Sequence, residues 1–201
     1  MKLYFAPNSR AVRVAWCLEE MGLDYDLHSF TLGHPDMRAQ DYREVHPMGR
    51  VPALELDDGR VIFESGAIIQ YLLTTQDTDL VPDPATEAFT QYLQWFHYAE
   101  GMIMPPINTY VVETVLLPPE RRTEVNVKRS AKLLNQMLTA VEAHMADRDW
   151  LAGPFSAAEF MTGHAVIAAS TLGGDFSDKP NLTAYVDRML ARPALQKARS
   201  L

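Results

Sequence analysis

Residues 46–66 run His46-Pro47-Met48-Gly49-Arg50-Val51-Pro52-Ala53-Leu54-Glu55-Leu56-Asp57-Asp58-Gly59-Arg60-Val61-Ile62-Phe63-Glu64-Ser65-Gly66 and leave the backbone few choices. Pro52 to Leu56 alternates like a half-buried strand, and Asp58-Gly59 is the strongest short hairpin signal. Val61-Ile62-Phe63 answers across that turn. From Ala67 to Leu73 the composition is helical and holds no breaker. A loop, a hairpin and a helix start therefore fall within one short stretch, a spacing that suits a ligand cradle.

The chemistry of such a cradle follows from the residues. Ser65 reads as an N-cap, with the amides after it pointing outward at the positive end of the helix dipole. That end binds a carboxylate, and Gly66 permits close approach. Glu64 beside it offers a negative charge to an ammonium. A carboxylate and an ammonium on one carbon make an amino-acid head group. If the Val51-Pro52 bond is cis, Val51 presents its N–H and C=O to an extended peptide. The same residues also read as a plain hairpin followed by an ordinarily capped helix.

Taken in order, Lys2-Leu3-Tyr4-Phe5 is a short strand stopped by Ala6-Pro7-Asn8. A helix follows from Arg10 to Met21, with Gly22 as its C-cap. Tyr25 to Phe30 alternates as a second strand, and Asp36 to Val45 is a weak polar helix or irregular turn. With the hairpin and the Ser65 helix the order is βαβαββα, that of a thioredoxin-like α/β domain with helices on both faces of a mixed sheet. The Thr, Asp and Pro of the following stretch mark a linker. The expected division is an α/β domain over 1–76, a linker over 77–85 and an all-α helical domain over 86–201.

In that second part, Phe89, Leu93, Phe96, Ala99 and Ile103 form a helical stripe that Pro105-Pro106 must break or kink. Val127, Ala131, Leu134, Leu138, Val141 and Met145 mark the longest helix, expected over 120–147. Ser156 and Glu159 make a capping box, with Phe155 and Phe160 as its hydrophobic staple. Thr183 to Leu190 and Pro193 to Ser200 close the chain as two short helices.

Composition narrows the function classes. The net charge is −8, with no cluster of Lys or Arg, which argues against nucleic acid or an anionic membrane as partner. The single cysteine, Cys17, excludes an internal disulfide framework and a Cys-x-x-Cys redox pair. No apolar run reaches membrane-spanning length and no signal-peptide core opens the chain, so the expected location is cytoplasmic. The histidines share no metal-ligand spacing, and no metal is expected.

Gly49-Arg50-Val51-Pro52-Ala53-Leu54 followed by Glu64-Ser65-Gly66-Ala67-Ile68-Ile69-Gln70-Tyr71-Leu72 resembles the glutathione-binding half of the cytosolic glutathione S-transferases, of bacterial type and with its class open. The resemblance extends over essentially the whole chain, including the capping box, where an Asp more often fills the Glu159 position. It implies a detoxifying homodimer that takes glutathione as co-substrate and joins its thiolate to apolar electrophiles. Val51 and Pro52 would pair with the cysteinyl backbone, Glu64, Ser65 and Gly66 would hold the γ-glutamyl head, and Arg50 would meet the glycyl end. Met37 falls at the second glycyl contact, with Arg38 beside it. His46, where the family usually has Asn, reads as a turn residue.

The thiolate-stabilising donor stays open. Counted from the first strand it is Ser9; counted back from the helix it falls on Ala6, which has no donor. The order of preference is Ser9, then Asn8 or a backbone amide, then Tyr4. The residue three after Ser9 is Val12 rather than the Glu of a capping box, which leaves the Ser9 hydroxyl less committed. Trp95, Tyr98, Met102, Met104 and Tyr110 are candidates for the electrophile pocket, although residues at helical spacing also serve as core. Cys17, in mid-helix, reads as core. Alternative activities on the same cradle are a glutathione-dependent peroxidase or disulfide reductase. A non-catalytic binding module of the same fold is a further alternative.

Overall fold

The computed structural model describes residues 1–201. In chain order the elements are β1 (Lys2–Phe5), α1 (Ala11–Glu20), β2 (Asp26–Ser29), α2 (Gln40–Val45), β3 (Ala53–Glu55), β4 (Val61–Phe63) and α3 (Ser65–Thr75). There follow α4 (Glu87–Tyr98), α5 (Met104–Val111), α6 (Glu124–His144), α7 (His164–Thr171), α8 (Pro180–Leu190) and α9 (Pro193–Ser200). They divide into two compact units, one of residues 1–78 with 190–201, the other of residues 79–189.

The first unit is a thioredoxin-like mixed sheet in the order β2-β1-β3-β4. β1 runs parallel to β2 and antiparallel to β3, and β3 pairs antiparallel with β4. Strand alternation sorts the side chains by face. Leu3, Phe5 and Leu54 are fully buried, whereas Tyr4 and Ala53 join Met37 and Tyr42 in a separate cluster. The expected second strand forms as β2 at an edge of the sheet, bonded to β1 alone, and all four of its residues are exposed.

Helix α9 also departs from expectation. It belongs to the first unit and packs on α1. Leu195 and Ala198 are its buried residues. Arg192 forks onto the Glu20 carboxylate at 2.6 and 2.7 Å, and Glu20 also accepts the Trp16 indole N–H at 2.9 Å. Lys197 reaches Glu19 at 2.7 Å. Trp16, Glu19 and Glu20 thus anchor the returning chain.

In the helical unit the two prolines do not interrupt the helical run. Residues 99–103 form a π-helical turn, and Pro105 and Pro106 sit in the first turn of α5. Of the expected stripe, Phe96, Ala99 and Ile103 are buried and Leu93 is 40% exposed, while Tyr92 and Trp95 are buried beside them. The core of α6 is Leu134, Leu138 and Val141, as its periodicity requires. Leu80 is buried, and its carbonyl accepts the Ala157 N–H at 2.9 Å, which ties the expected linker to the helical unit.

The carboxylate half of the capping box forms, while the Ser156 hydroxyl accepts the Ala158 N–H at 3.3 Å rather than that of Glu159. The Glu159 carboxylate accepts the Leu151 N–H at 2.7 Å, the Ser156 N–H at 2.9 Å and the Ser156 hydroxyl at 3.0 Å. Phe155 and Phe160 meet edge to face, their ring centroids 5.8 Å apart.

Candidate functional site

Helix α2 ends at Val45, and the loop after it is pinned at several points. The His46 N–H donates to the Tyr42 carbonyl at 2.8 Å, and the His46 carbonyl accepts the Gly49 N–H at 2.7 Å. The Tyr42 hydroxyl donates to the Arg50 carbonyl at 2.6 Å. Gly49 has φ +59°, and a Cβ there would lie 2.0 Å from the Met37 carbonyl oxygen. The loop therefore needs glycine at this point both for its backbone angle and for its close approach. The Arg50 side chain is exposed. The Val51-Pro52 peptide is cis, and Val51 lies ahead of the first β3 ladder pairs, made by Ala53 with Tyr4 and with Phe63.

Met37, expected at the second glycyl contact, is 5% exposed and packs with Tyr4, Tyr42 and Ala53. His46 likewise is more than a turn residue. It is 3% exposed, its ring lies 4.9 Å from that of Phe63, and its Nδ1 accepts the Met48 N–H at 3.3 Å.

At the start of α3 the cap is Glu64 rather than Ser65. Glu64 has φ +75° and ψ +114°, its carbonyl accepts the Ile68 N–H at 3.0 Å, and its side chain is exposed. A glutamate in this region is strained, and such outliers concentrate at ligand sites. Ser65 becomes the first helical residue, 3% exposed. Its Oγ accepts from Nη1 of Arg13 at 3.3 Å. Arg13 is fully buried on α1 and escaped the sequence reading. Its signal was an arginine set inside the apolar run from Ala11 to Leu18. The amides of Ser65, Gly66 and Ala67 precede the first intrahelical bond and carry the positive end of the α3 dipole. A helix end with the polarity to suit a carboxylate and an anionic side chain thus adjoin.

The candidate donors are distinguished by what already holds them. The Ser9 hydroxyl donates to the Ala6 carbonyl at 2.6 Å and accepts the Ala11 N–H at 3.1 Å. It is engaged on both sides, contrary to the expectation that it is less committed. Asn8 is exposed and left-handed, at φ +57°. The Tyr4 hydroxyl donates to Glu55 at 2.7 Å from within the Met37–Tyr42 cluster, and burial raises its pKa. Burial also pushes the Cys17 thiol up, and its Sγ lies 3.6 Å from Met21 Sδ, a core position.

In the helical unit, Trp95 and Met104 are buried at 4% and 6% exposure. The Trp95 ring packs 4.9 Å from Tyr98 and 4.5 Å from His144. The Tyr98 hydroxyl donates to the Met137 carbonyl at 3.1 Å. Tyr110 is half-buried against Gly173, whereas Met102 is 49% exposed. An open cleft of about 320 Å³ is lined by Pro105, Pro106, Thr109, Asn126, Arg129 and Leu133, among others. No three His, Cys, Asp or Glu side chains are grouped to hold a metal, and no helix is long and apolar enough to cross a membrane.

Comparison with known proteins agrees with this arrangement. Residues 9–75 match the family described as glutathione S-transferase, N-terminal domain, and residues 103–193 match glutathione S-transferase, C-terminal domain. The chain is 31% identical to glutathione S-transferase 3 of Zea mays, over 98% of its own length and 92% of the relative's. Among solved structures, a glutathione transferase from Methylococcus capsulatus superposes with a TM-score of 0.86 at 30% identity, covering 99% of this chain and 97% of that one. One from Burkholderia graminis, holding two glutathione molecules per subunit, gives 0.87 at 26%, with 99% and 87% covered. The thioredoxin-like sheet, the helical unit and the Glu64-Ser65 helix start together define a member of the glutathione S-transferase family, and the chain belongs to it.

Proposed function

We propose that this protein binds glutathione at the 50–52 loop and the start of α3, and activates its thiol for conjugation to apolar electrophiles. The observation that carries this reading is Glu64, held at φ +75° with its carboxylate exposed beside the positive end of α3. The γ-glutamyl ammonium meets Glu64, its carboxylate meets the amides of Ser65 and Gly66, and Arg50 meets the glycyl carboxylate. Val51 offers its main chain to the cysteinyl unit. The buried Arg13 guanidinium, on Ser65 Oγ, adds positive charge behind the head-group carboxylate. Metal plays no part in this reading. A cytoplasmic homodimer is part of the same proposal, as is an electrophile site drawn from Tyr98, Met102 and Tyr110 and not from the buried Trp95 and Met104.

The test is a thermal shift. Millimolar glutathione is expected to raise the melting temperature by linkage, and replacing Glu64 and Ser65 together by alanine is expected to abolish the rise. Glu64→Gly is sharper: the fold gains about 1 kcal/mol, because glycine takes the left-handed backbone freely, while the glutathione shift disappears. No shift with the unaltered protein would remove the proposal.

For the thiolate donor, Ser9 ranks first, Asn8 or a backbone amide next, and Tyr4 last, since its hydroxyl is turned to Glu55. Ser9 would release Ala6 and turn its proton to the sulfur. Ser9→Ala is then expected to lower the conjugation rate about a hundredfold and to cost about 1 kcal/mol of stability as a lost cap. An unchanged rate with chlorodinitrobenzene would move the assignment to Asn8 or an amide. One observation favours a second reading, a glutathione-binding module without turnover: the Ser9 proton is already given to Ala6. Glutathione binding with no conjugation, peroxidase or disulfide reductase activity would support it.

A further inference from the structure

We infer that His46 is a positioning residue that latches the loop half of the glutathione site to its helix half, and that only the neutral imidazole holds the latch. The inference rests on the glutathione reading above. His46 touches both halves. Its main chain closes α2 and the turn to Gly49. Its Nδ1 accepts the Met48 N–H at 3.3 Å, two residues before Arg50. Its ring packs 4.9 Å from Phe63, the residue before Glu64.

An imidazole whose Nδ1 accepts a hydrogen bond carries its proton on Nε2. A second proton on Nδ1 would face the Met48 N–H, donor against donor, inside a site only 3% exposed. The loop would then have to turn away, carrying Arg50, Val51 and Pro52 with it. The charged groups acting on the ring are Glu64, which favours the cation, and Arg50, which opposes it. Phe63 on β4 is uncharged, and Tyr42 on α2 spends its hydroxyl on the Arg50 carbonyl. Burial is the largest effect; it outweighs Glu64 and the residue's own carbonyl, and lowers the imidazole pKa below its ordinary value. The latch is therefore closed at neutral pH and opens in acid. A cation there would also compete with the glutathione ammonium for Glu64.

The experiment measures glutathione affinity by calorimetry at pH of about 7.5 and about 5.5 for the native chain and for His46→Asn. Asparagine can accept the Met48 N–H but does not titrate. The native dissociation constant is expected to rise about threefold or more on acidification, while the variant's changes far less. In the native chain without glutathione, the Met48 amide resonance is expected to titrate with a midpoint below that of an ordinary histidine. The same acid ratio in both proteins, tighter binding in acid, or a Met48 amide that ignores pH overturns the inference. If the native chain binds no glutathione at pH of about 7.5, the glutathione reading falls and the inferred coupling falls with it. Binding with a flat pH response removes His46 alone.

Discussion

Replacing Glu159 by alanine is expected to destabilise the fold by about 4 kcal/mol, roughly four times the effect of Ser156→Ala. Glu159 is fully buried and is the acceptor for the N–H groups of both Leu151 and Ser156. Without it, two buried donors lose their partner, each at a cost of about 1–3 kcal/mol, and the side-chain volume becomes a cavity. Ser156→Ala removes only a hydroxyl, which accepts the Ala158 N–H at 3.3 Å. Glu159 also carries a pH signature. Burial pushes its carboxyl up to about 7, although the hydrogen bonds it accepts pull the other way. A raised folded-state pKa means that the folded protein holds this proton more tightly than the unfolded chain. That contribution is complete below the ordinary glutamate range and is lost as pH rises through about 7, by roughly 3 kcal/mol in all. Denaturant titrations across this window should show the slope in the native protein and its absence in Glu159→Gln.

Gly49→Ala is expected to cost on the order of 3 kcal/mol or more, and to remove glutathione protection as well. Two effects add at this residue. The left-handed backbone disfavours any Cβ by about 1 kcal/mol, and the new methyl would stand 2.0 Å from the Met37 carbonyl. That oxygen is main chain, so the strain cannot be relieved by turning a side chain. Gly59→Ala is the control. Its φ of +82° is equally left-handed, yet nothing lies within 4 Å of its would-be Cβ, so only the conformational part remains. Equal losses in the two variants, measured by chemical denaturation, would show that the contact with Met37 is not the cause.

How much of this was legible in the chain depended on how local the signal was. The Asp58-Gly59 hairpin, the Ser156–Glu159 box and the Glu64-Ser65 pair could all be read, because each is written within a few neighbouring residues. The division of labour inside the pair could not: sequence favours serine as a cap, whereas the structure gives that place to Glu64 at positive φ and buries Ser65 against Arg13. The missing information lay on α1, far away in sequence. The burial of His46 and of Met37 was illegible for the same reason, since it is set by Phe63 and by the Tyr4–Tyr42 cluster. The prolines at 105 and 106 do demand an irregularity, but only the packed helix shows that a π turn ahead of them absorbs it. The Ser9 hydroxyl was undecidable because its partner, the Ala6 carbonyl, exists only once the chain has turned into α1.

Helix α9 gives the first unit a seam made from opposite ends of the chain. A fragment cut within residues 77–85 would leave the α1 side that meets Leu195 and Ala198 bare, and Glu20 without its arginine fork. The proposed glutathione site is drawn almost wholly from the early residues, yet an excised early piece would make a sticky, incomplete scaffold. Anyone wishing to graft or miniaturise the cradle should splice Leu190–Leu201 back on through a short tether.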